Sequence, residues 1–213
     1  MSNYVDFERD FPSRCYKLLD EFQFDAEASG HEVTLLLAMS AGMICLVADR
    51  IGLAAEFAQQ IRSTPFAKPE VKHRWRRLEG ALSTLAHDAQ AEVSLADIRF
   101  CTGVLMSGMR DPDEWPWVPL PAKLTNRQVY SILRNSFAHG NVWTVADGST
   151  TIVHIAFASK LDAPEGHEKR YEALRMTPST LRDLMRWWIG TVCETEGSRR
   201  LQVPTTQKAP PKS

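Results

Sequence analysis

The sequence lacks a Cys-x-x-Cys pair, a glycine-rich phosphate loop, a Gly-x-Ser-x-Gly elbow and any apolar run long enough to cross a bilayer. Its four cysteines, Cys15, Cys45, Cys101 and Cys193, lie far apart, which argues against structural zinc and fits reduced thiols in a cytosol. The most apolar stretch, Val33 to Val47, is interrupted by Thr34, Ser40 and Gly42 and closed by Asp49-Arg50. A spanning helix needs about 20 apolar residues, so this run reads as a buried core helix and no membrane contact is expected. The N-terminus is acidic and aromatic, without the basic and apolar regions of an export signal, and the expected location is cytoplasmic. An excess of charge of either sign is also missing: 25 Lys and Arg stand against 26 Asp and Glu, a formal net charge of -1. A tight, nonspecific DNA binder would carry a broad positive field, so any contact with nucleic acid must come from a local basic patch. His31, His73, His87, His154 and His167 show no spacing expected of a metal site, and neither a metal nor another cofactor is expected.

What is present is an ordinary globular balance, 44% hydrophobic and 24% charged. We read one domain over residues 1–195 and a disordered polar, proline-rich tail over 196–213. Phe7, Phe11, Cys15, Leu18, Leu19 and Phe22 recur at three- and four-residue steps, the pattern of a helix with one buried stripe. Because proline is tolerated only near a first turn, Pro12 predicts that this helix starts close to Phe11. Gly30 separates it from the apolar helix beginning near His31. A shorter helix is expected over Leu53 to Ile61 and a further helical pattern over Glu70 to Leu85, with the loop Ser63 to Pro69 between them. Asp97 to Met106 is ambiguous, and Asp111 to Pro121 is a tryptophan- and proline-rich connector. Val142 to Val145 and Thr150 to Ala158 are rich in β-branched and aromatic residues around Ala146-Asp147-Gly148-Ser149, which reads as a β-hairpin. Thr177-Pro178 opens a last helix with the stripe Leu181, Leu184, Met185, Trp188 and Val192.

The segment most suited to chemistry lies between the connector and the hairpin. Thr125 or Asn126 can cap a helix there, Val129, Tyr130, Ile132 and Leu133 supply its buried face, and Gly140 stands where a C-terminal cap is expected. His139 is therefore its last or next-to-last residue. Arginine and histidine suit phosphodiester cleavage: a guanidinium holds phosphate oxygens bidentately, and an imidazole exchanges a proton near neutral pH. The carbonyls exposed at the helix C-terminus favour positive charge on His139. Asn135 lies one turn before His139 on the same face, where its amide can orient the ring or the substrate. Arg134 is about 140° around an ideal helix from the histidine, so its long side chain must reach round.

The run Leu133-Arg134-Asn135-Ser136-Phe137-Ala138-His139-Gly140-Asn141 resembles the signature of the HEPN superfamily, in which a late helix ends with Arg-Asn-x-x-x-His. The block Arg-Asn-x-x-Ala-His-Gly-Asn, with the aromatic connector before it, the hairpin after it and the apolar early helix, resembles small bacterial and plasmid-encoded HEPN proteins. The resemblance covers most of the chain from Phe7 to Val192, but only Leu133 to Asn141 is specific. It implies a mainly α fold, a HEPN-like helical bundle with a small β-hairpin after the motif helix. It further implies a homodimer in which two motif copies form one composite site. Active members are metal-independent endoribonucleases of toxin–antitoxin, abortive-infection or other defence systems. Carried over by residue, Arg134 would bind the scissile phosphate, His139 would act as general acid or base for attack by the ribose 2′-hydroxyl, and Asn135 would fill the polar position after the arginine. The products would be a cyclic phosphate and a 5′-hydroxyl. Other members only bind, so a noncatalytic RNA- or nucleotide-binding regulatory module is the alternative, and an antitoxin or regulatory partner is compatible with either.

Two further features have double readings. Lys72, Arg74, Arg76 and Arg77 form the densest basic patch, which either tracks an RNA backbone with Trp75 as a stacking surface or is a solvated helix face with Glu70 and Glu79 as local partners. Trp115, Trp117, Trp187 and Trp188 read as core or dimer-contact residues. A third hypothesis makes the Trp-rich connector and the last helix a docking surface for another protein.

Overall fold

The structure, a computed structural model, describes residues 7–46, 97–105, 111–148, 151–161 and 170–193. Four α-helices lie among them: α1 (Phe7–Ala28), α2 (Glu32–Ala41), α3 (Asn126–His139) and α4 (Pro178–Cys193). The strands are β1 (Arg99–Leu105), β2 (Val118–Pro119), β3 (Val142–Ala146), β4 (Ile152–Lys160) and β5 (Arg170–Met176). They form one five-stranded sheet of order β2-β1-β5-β4-β3, antiparallel at every pairing. The expected helical bundle with only a small hairpin is therefore corrected to helices packed on a substantial sheet.

The hairpin itself is present as β3 and β4, with Val142 opposite Phe157 and Val145 opposite His154. The expectation missed that it joins a larger sheet through β5, where Phe157 faces Leu174, and that β5 in turn pairs with β1, where Phe100 faces Leu174. The ambiguous segment from Asp97 resolves as β1. Its ladder to β5 shifts register between Thr102 and Val104, where Gly103 has φ +78, the positive value that a bulge residue needs and glycine adopts without strain.

Alternation along the strands gives the sheet two dry faces. Ile155 and Phe157 of β4 and Leu174 and Met176 of β5 join the main core with Leu19, Leu36, Met43, Leu133, Met185 and Trp188. On the opposite face Ala156, Ala158, Ala173 and Cys101 form a floor of small side chains beneath Trp115, with Trp117 and Trp143 packed beside it. Trp115 lies 5.3 Å from Trp117 and 5.5 Å, edge-on, from Trp143, measured between ring centroids. Arg175 sits over the Trp117 ring at 5.1 Å and pairs with Asp113 at 3.3 Å. The proline-rich connector thus covers the outer face, and burial on both faces explains why β4 reads as an almost continuous apolar run.

The first helix differs from expectation in two ways. It starts at Phe7 and runs through Pro12, its sixth residue: the proline removes the bond that residue 12 would give to the carbonyl of residue 8, and the helix continues across that single loss, so Pro12 does not mark its start. Its buried stripe is Cys15, Leu19 and Ala26, while Leu18 and Phe22 are exposed. Gly30, at φ +72, turns the chain into α2, which continues as a π-helical turn over Gly42–Leu46. At the other end, Thr177 Oγ1 accepts from the Thr180 N–H at 3.1 Å, the expected N-cap ahead of Pro178. Among the described residues no helix is long and apolar enough to cross a membrane. The helices expected over 53–61 and 70–85 and the tail over 196–213 lie outside the described residues.

Candidate active site

The motif helix is bounded by its own sequence at both ends. Thr125 is the N-cap: its hydroxyl accepts from the Gln128 N–H at 3.3 Å, and Gln128 Oε1 accepts from the Thr125 N–H at 2.8 Å, a reciprocal capping box. Of the two capping residues offered by the sequence, Thr125 takes the role and Asn126 is the first helical residue, buried. Gly140 closes the helix at φ +69, with its N–H on Phe137 O at 3.4 Å and the Asn141 N–H on Ser136 O at 2.9 Å. These are the paired bonds of a Schellman motif. His139 is thus the last helical residue, and it is exposed.

Val129, Tyr130, Ile132 and Leu133 are buried as expected. Together they seat α3 on the sheet and on the π-helical turn. Phe137 meets Phe157 of β4 edge-on at 5.3 Å. Tyr130 stacks against Trp188 at 4.5 Å and Trp187 at 5.7 Å, and its hydroxyl donates to Leu184 O at 2.9 Å. Trp188 in turn donates from Nε1 to Met43 O at 3.2 Å. Ser136, fully buried, returns its hydroxyl to Ile132 O at 2.6 Å. A helix held at so many points is a rigid base for the polar residues on its other faces.

Two of those residues, Arg134 and Asn135, are connected. Arg134 Nη1 donates to Asn135 Oδ1 at 3.0 Å, and Asn135 Nδ2 donates to Ser159 Oγ of β4 at 3.0 Å. The Arg134 carbonyl accepts from Cys45 Sγ, in the π-helical turn, at 3.6 Å. Arg134 and Asn135 are half-buried, so the site runs from a partly sheltered guanidinium to an open imidazole at the helix end. Glu172 faces Ser159 across the β4–β5 ladder on the sheet face that carries Leu174 and Met176, and burial raises its carboxyl above the ordinary value.

The structure joins Arg134 and Asn135 by a hydrogen bond and places His139 one turn further on, in the last position of the helix; the Asn135 amide is turned to Arg134 and Ser159 rather than to the imidazole. Lys72, Arg74, Arg76 and Arg77 lie outside the described residues. Trp115 and Trp188 are buried, Trp117 and Trp187 half-buried, in line with a packing role. Sequence reasoning did not find Ser159, Glu172 or Cys45. The expected second hairpin strand stopped at Ala158, one residue short of Ser159, and a lone serine, glutamate or cysteine carries no spacing signal of its own.

No curated protein and no solved structure matches the chain. A protein family does, over residues 1–198, a span that contains the motif helix, its caps and the strands on which it rests. By that match the chain belongs to the HEPN family described as HEPN pEK499 p136.

Proposed function

We propose that this HEPN protein is a metal-independent endoribonuclease in which Arg134 and His139 carry the reaction. The observation that supports this reading best is the helix end itself: a permanently charged guanidinium, tied into a hydrogen-bonded chain, on the same short segment as an exposed imidazole. In the proposed reaction an imidazole nitrogen takes the proton of a ribose 2′-hydroxyl as its oxygen attacks the adjacent phosphorus. The bond to the 5′-oxygen breaks, and that oxygen leaves with a proton given by an imidazolium of the composite site. The products are a 2′,3′-cyclic phosphate and a 5′-hydroxyl. Arg134 stabilises the negative charge that grows on the phosphoryl oxygens, a role for which a planar double donor is suited. His139 acts as general acid or base.

In this proposal the working unit is a homodimer with two motif helices at one composite site, and RNA is the substrate. Lys72, Arg74, Arg76 and Arg77 supply backbone contacts that extend the footprint. Cleavage of cellular RNA would halt growth, which suits a toxin–antitoxin or defence effector controlled by an antitoxin or other regulatory partner.

The test uses purified full-length protein and total RNA in the presence of a chelator, with Arg134→Ala and His139→Ala alongside. Cleavage by the parent is expected to persist in chelator and to leave cyclic phosphate ends. Each variant should cut at least 100-fold more slowly, in keeping with the rate contribution of about 10²–10⁴ from general acid–base catalysis, while remaining folded and in the parent's oligomeric state. Variants that cut as fast as the parent would remove Arg134 and His139 from the mechanism. A folded parent that binds RNA without cutting it would make the protein a binding module.

A further inference from the structure

The arginine of the motif is held by its neighbour in sequence, and that neighbour is held from outside the helix. Adjacent residues on a helix do not face one another, so a hydrogen bond between the side chains of Arg134 and Asn135 requires one of them to be drawn out of its own direction. Ser159 supplies the anchor. Its hydroxyl accepts from Asn135 Nδ2 at 3.0 Å, and Asn135 Oδ1 accepts from Arg134 Nη1 at 3.0 Å. The orientation of the amide is chemically determined, because a guanidinium only donates and must meet the carbonyl oxygen. That leaves Nδ2 turned to the serine.

The anchor is itself well fixed. Ser159 is 3% exposed and lies on β4, which is paired with β3 on one side and β5 on the other. Its Cβ is therefore placed by the sheet, leaving one side-chain rotation to set the hydroxyl oxygen, whereas the amide rotates about two such bonds and the guanidinium about more. A planar amide bound at Nδ2 also has Oδ1 aimed, so the sheet sets the direction of a group two side chains away.

We infer that Ser159 is a positioning residue of this site: through Asn135 it holds the Arg134 guanidinium in the direction from which it meets the scissile phosphate. The inference rests on the ribonuclease reading. Removing the hydroxyl takes away the Asn135 amide's hold on the sheet, so the Asn135 acceptor of Arg134 is no longer anchored, while the charge of Arg134 is kept. The effect should fall on the rate of the chemical step, where orientation counts, more than on the affinity for RNA.

The experiment is a double-mutant cycle on RNA cleavage with the parent, Ser159→Ala, Asn135→Ala and the double variant, measuring kcat and KM together with melting temperature. Ser159→Ala is expected to lower kcat about tenfold, the size of one lost hydrogen bond of roughly 1.4 kcal/mol, and to change KM less than about twofold. In the Asn135→Ala background the same serine change should have no further effect on kcat, since the relay is already broken. A merely structural serine would slow the reaction equally in both backgrounds, and that result would overturn the inference. So would an unchanged kcat in Ser159→Ala beside an active parent. An inactive parent overturns the ribonuclease reading and this inference with it, which separates the two failures.

Discussion

At the scale of single residues, Gly140 decides where the histidine stands. Its φ of +69 reverses the chain directly after His139, and the next residue, Asn141, offers its carbonyl to the Ala158 N–H at 3.1 Å. One residue thus ends the motif helix and delivers the chain to the sheet. Nothing lies within 4 Å of where a Cβ on Gly140 would be, so Gly140→Ala meets no clash and its cost is purely conformational. The left-handed region costs an L-residue about 1–2 kcal/mol. Gly140→Ala is accordingly expected to lose about that much in urea unfolding, and Gly140→Asn less, because asparagine visits this region more readily. Equal stability of Gly140→Ala and the parent would show that the helix does not end in this way. Both the glycine and its role were legible in the sequence, since a helix stop of this kind needs only local chemistry.

Helices and their packing form the next scale, where the interlock of α3, α4 and the π-helical turn stands out. Tyr130 and Trp188 are fully buried and stacked, and each spends its polar atom on a backbone carbonyl, Leu184 O and Met43 O respectively. The two contributions differ in kind. Tyr130→Phe keeps the ring and removes one hydrogen bond, worth about 1 kcal/mol, whereas Trp188→Ala empties a large buried volume at a cost of about 3–5 kcal/mol. Denaturant unfolding should rank them in that order, and a Tyr130→Phe loss as large as that of Trp188→Ala would mean that the hydroxyl, not the stacking, ties the helices together. The periodicity of α3 and α4 was legible because their apolar positions repeat every three to four residues against charged neighbours. In α1 the same reading chose Leu18 and Phe22 as buried, and both are exposed. Spacing alone identifies a stripe but not which of two adjacent lines of apolar residues meets the core. Ser159 was illegible for a related reason: its importance comes from the Asn135 amide, brought to it by tertiary packing.

Across the whole molecule, the sheet is what local reading could not assemble. The β3–β4 hairpin is closed by neighbouring residues, but β1 and β5 pair residues 99–105 with 170–175, and Tyr171-Glu172-Ala173-Leu174-Arg175 contains four helix formers and one strand former. Non-local pairing overrode propensity there, and it placed Glu172 where its carboxyl is half-buried. Burial raises that carboxyl above its ordinary value of 4.5, so the native state holds the proton more tightly than the unfolded chain. The stability contributed by the protonated form is complete below the unfolded value and is lost as pH rises through the folded one. His154, on the opposite face of the sheet, acts in the other sense: burial, then the charge of Arg175, lowers its value against the pull of Asp113 and Asp97, so its contribution grows as pH rises toward 6.5. A parent-only stability profile would mix the two, but the difference between the parent and Glu172→Gln isolates the glutamate, because His154 is common to both. Melting temperatures of the two proteins should lie close together at pH 4, where the glutamate is largely protonated in both states, and Glu172→Gln should gain relative to the parent at pH 7. A difference that is the same at both pH values would mean that the carboxyl is not held in a desolvated place, and that the β4–β5 ladder does not carry Glu172 toward the core as described.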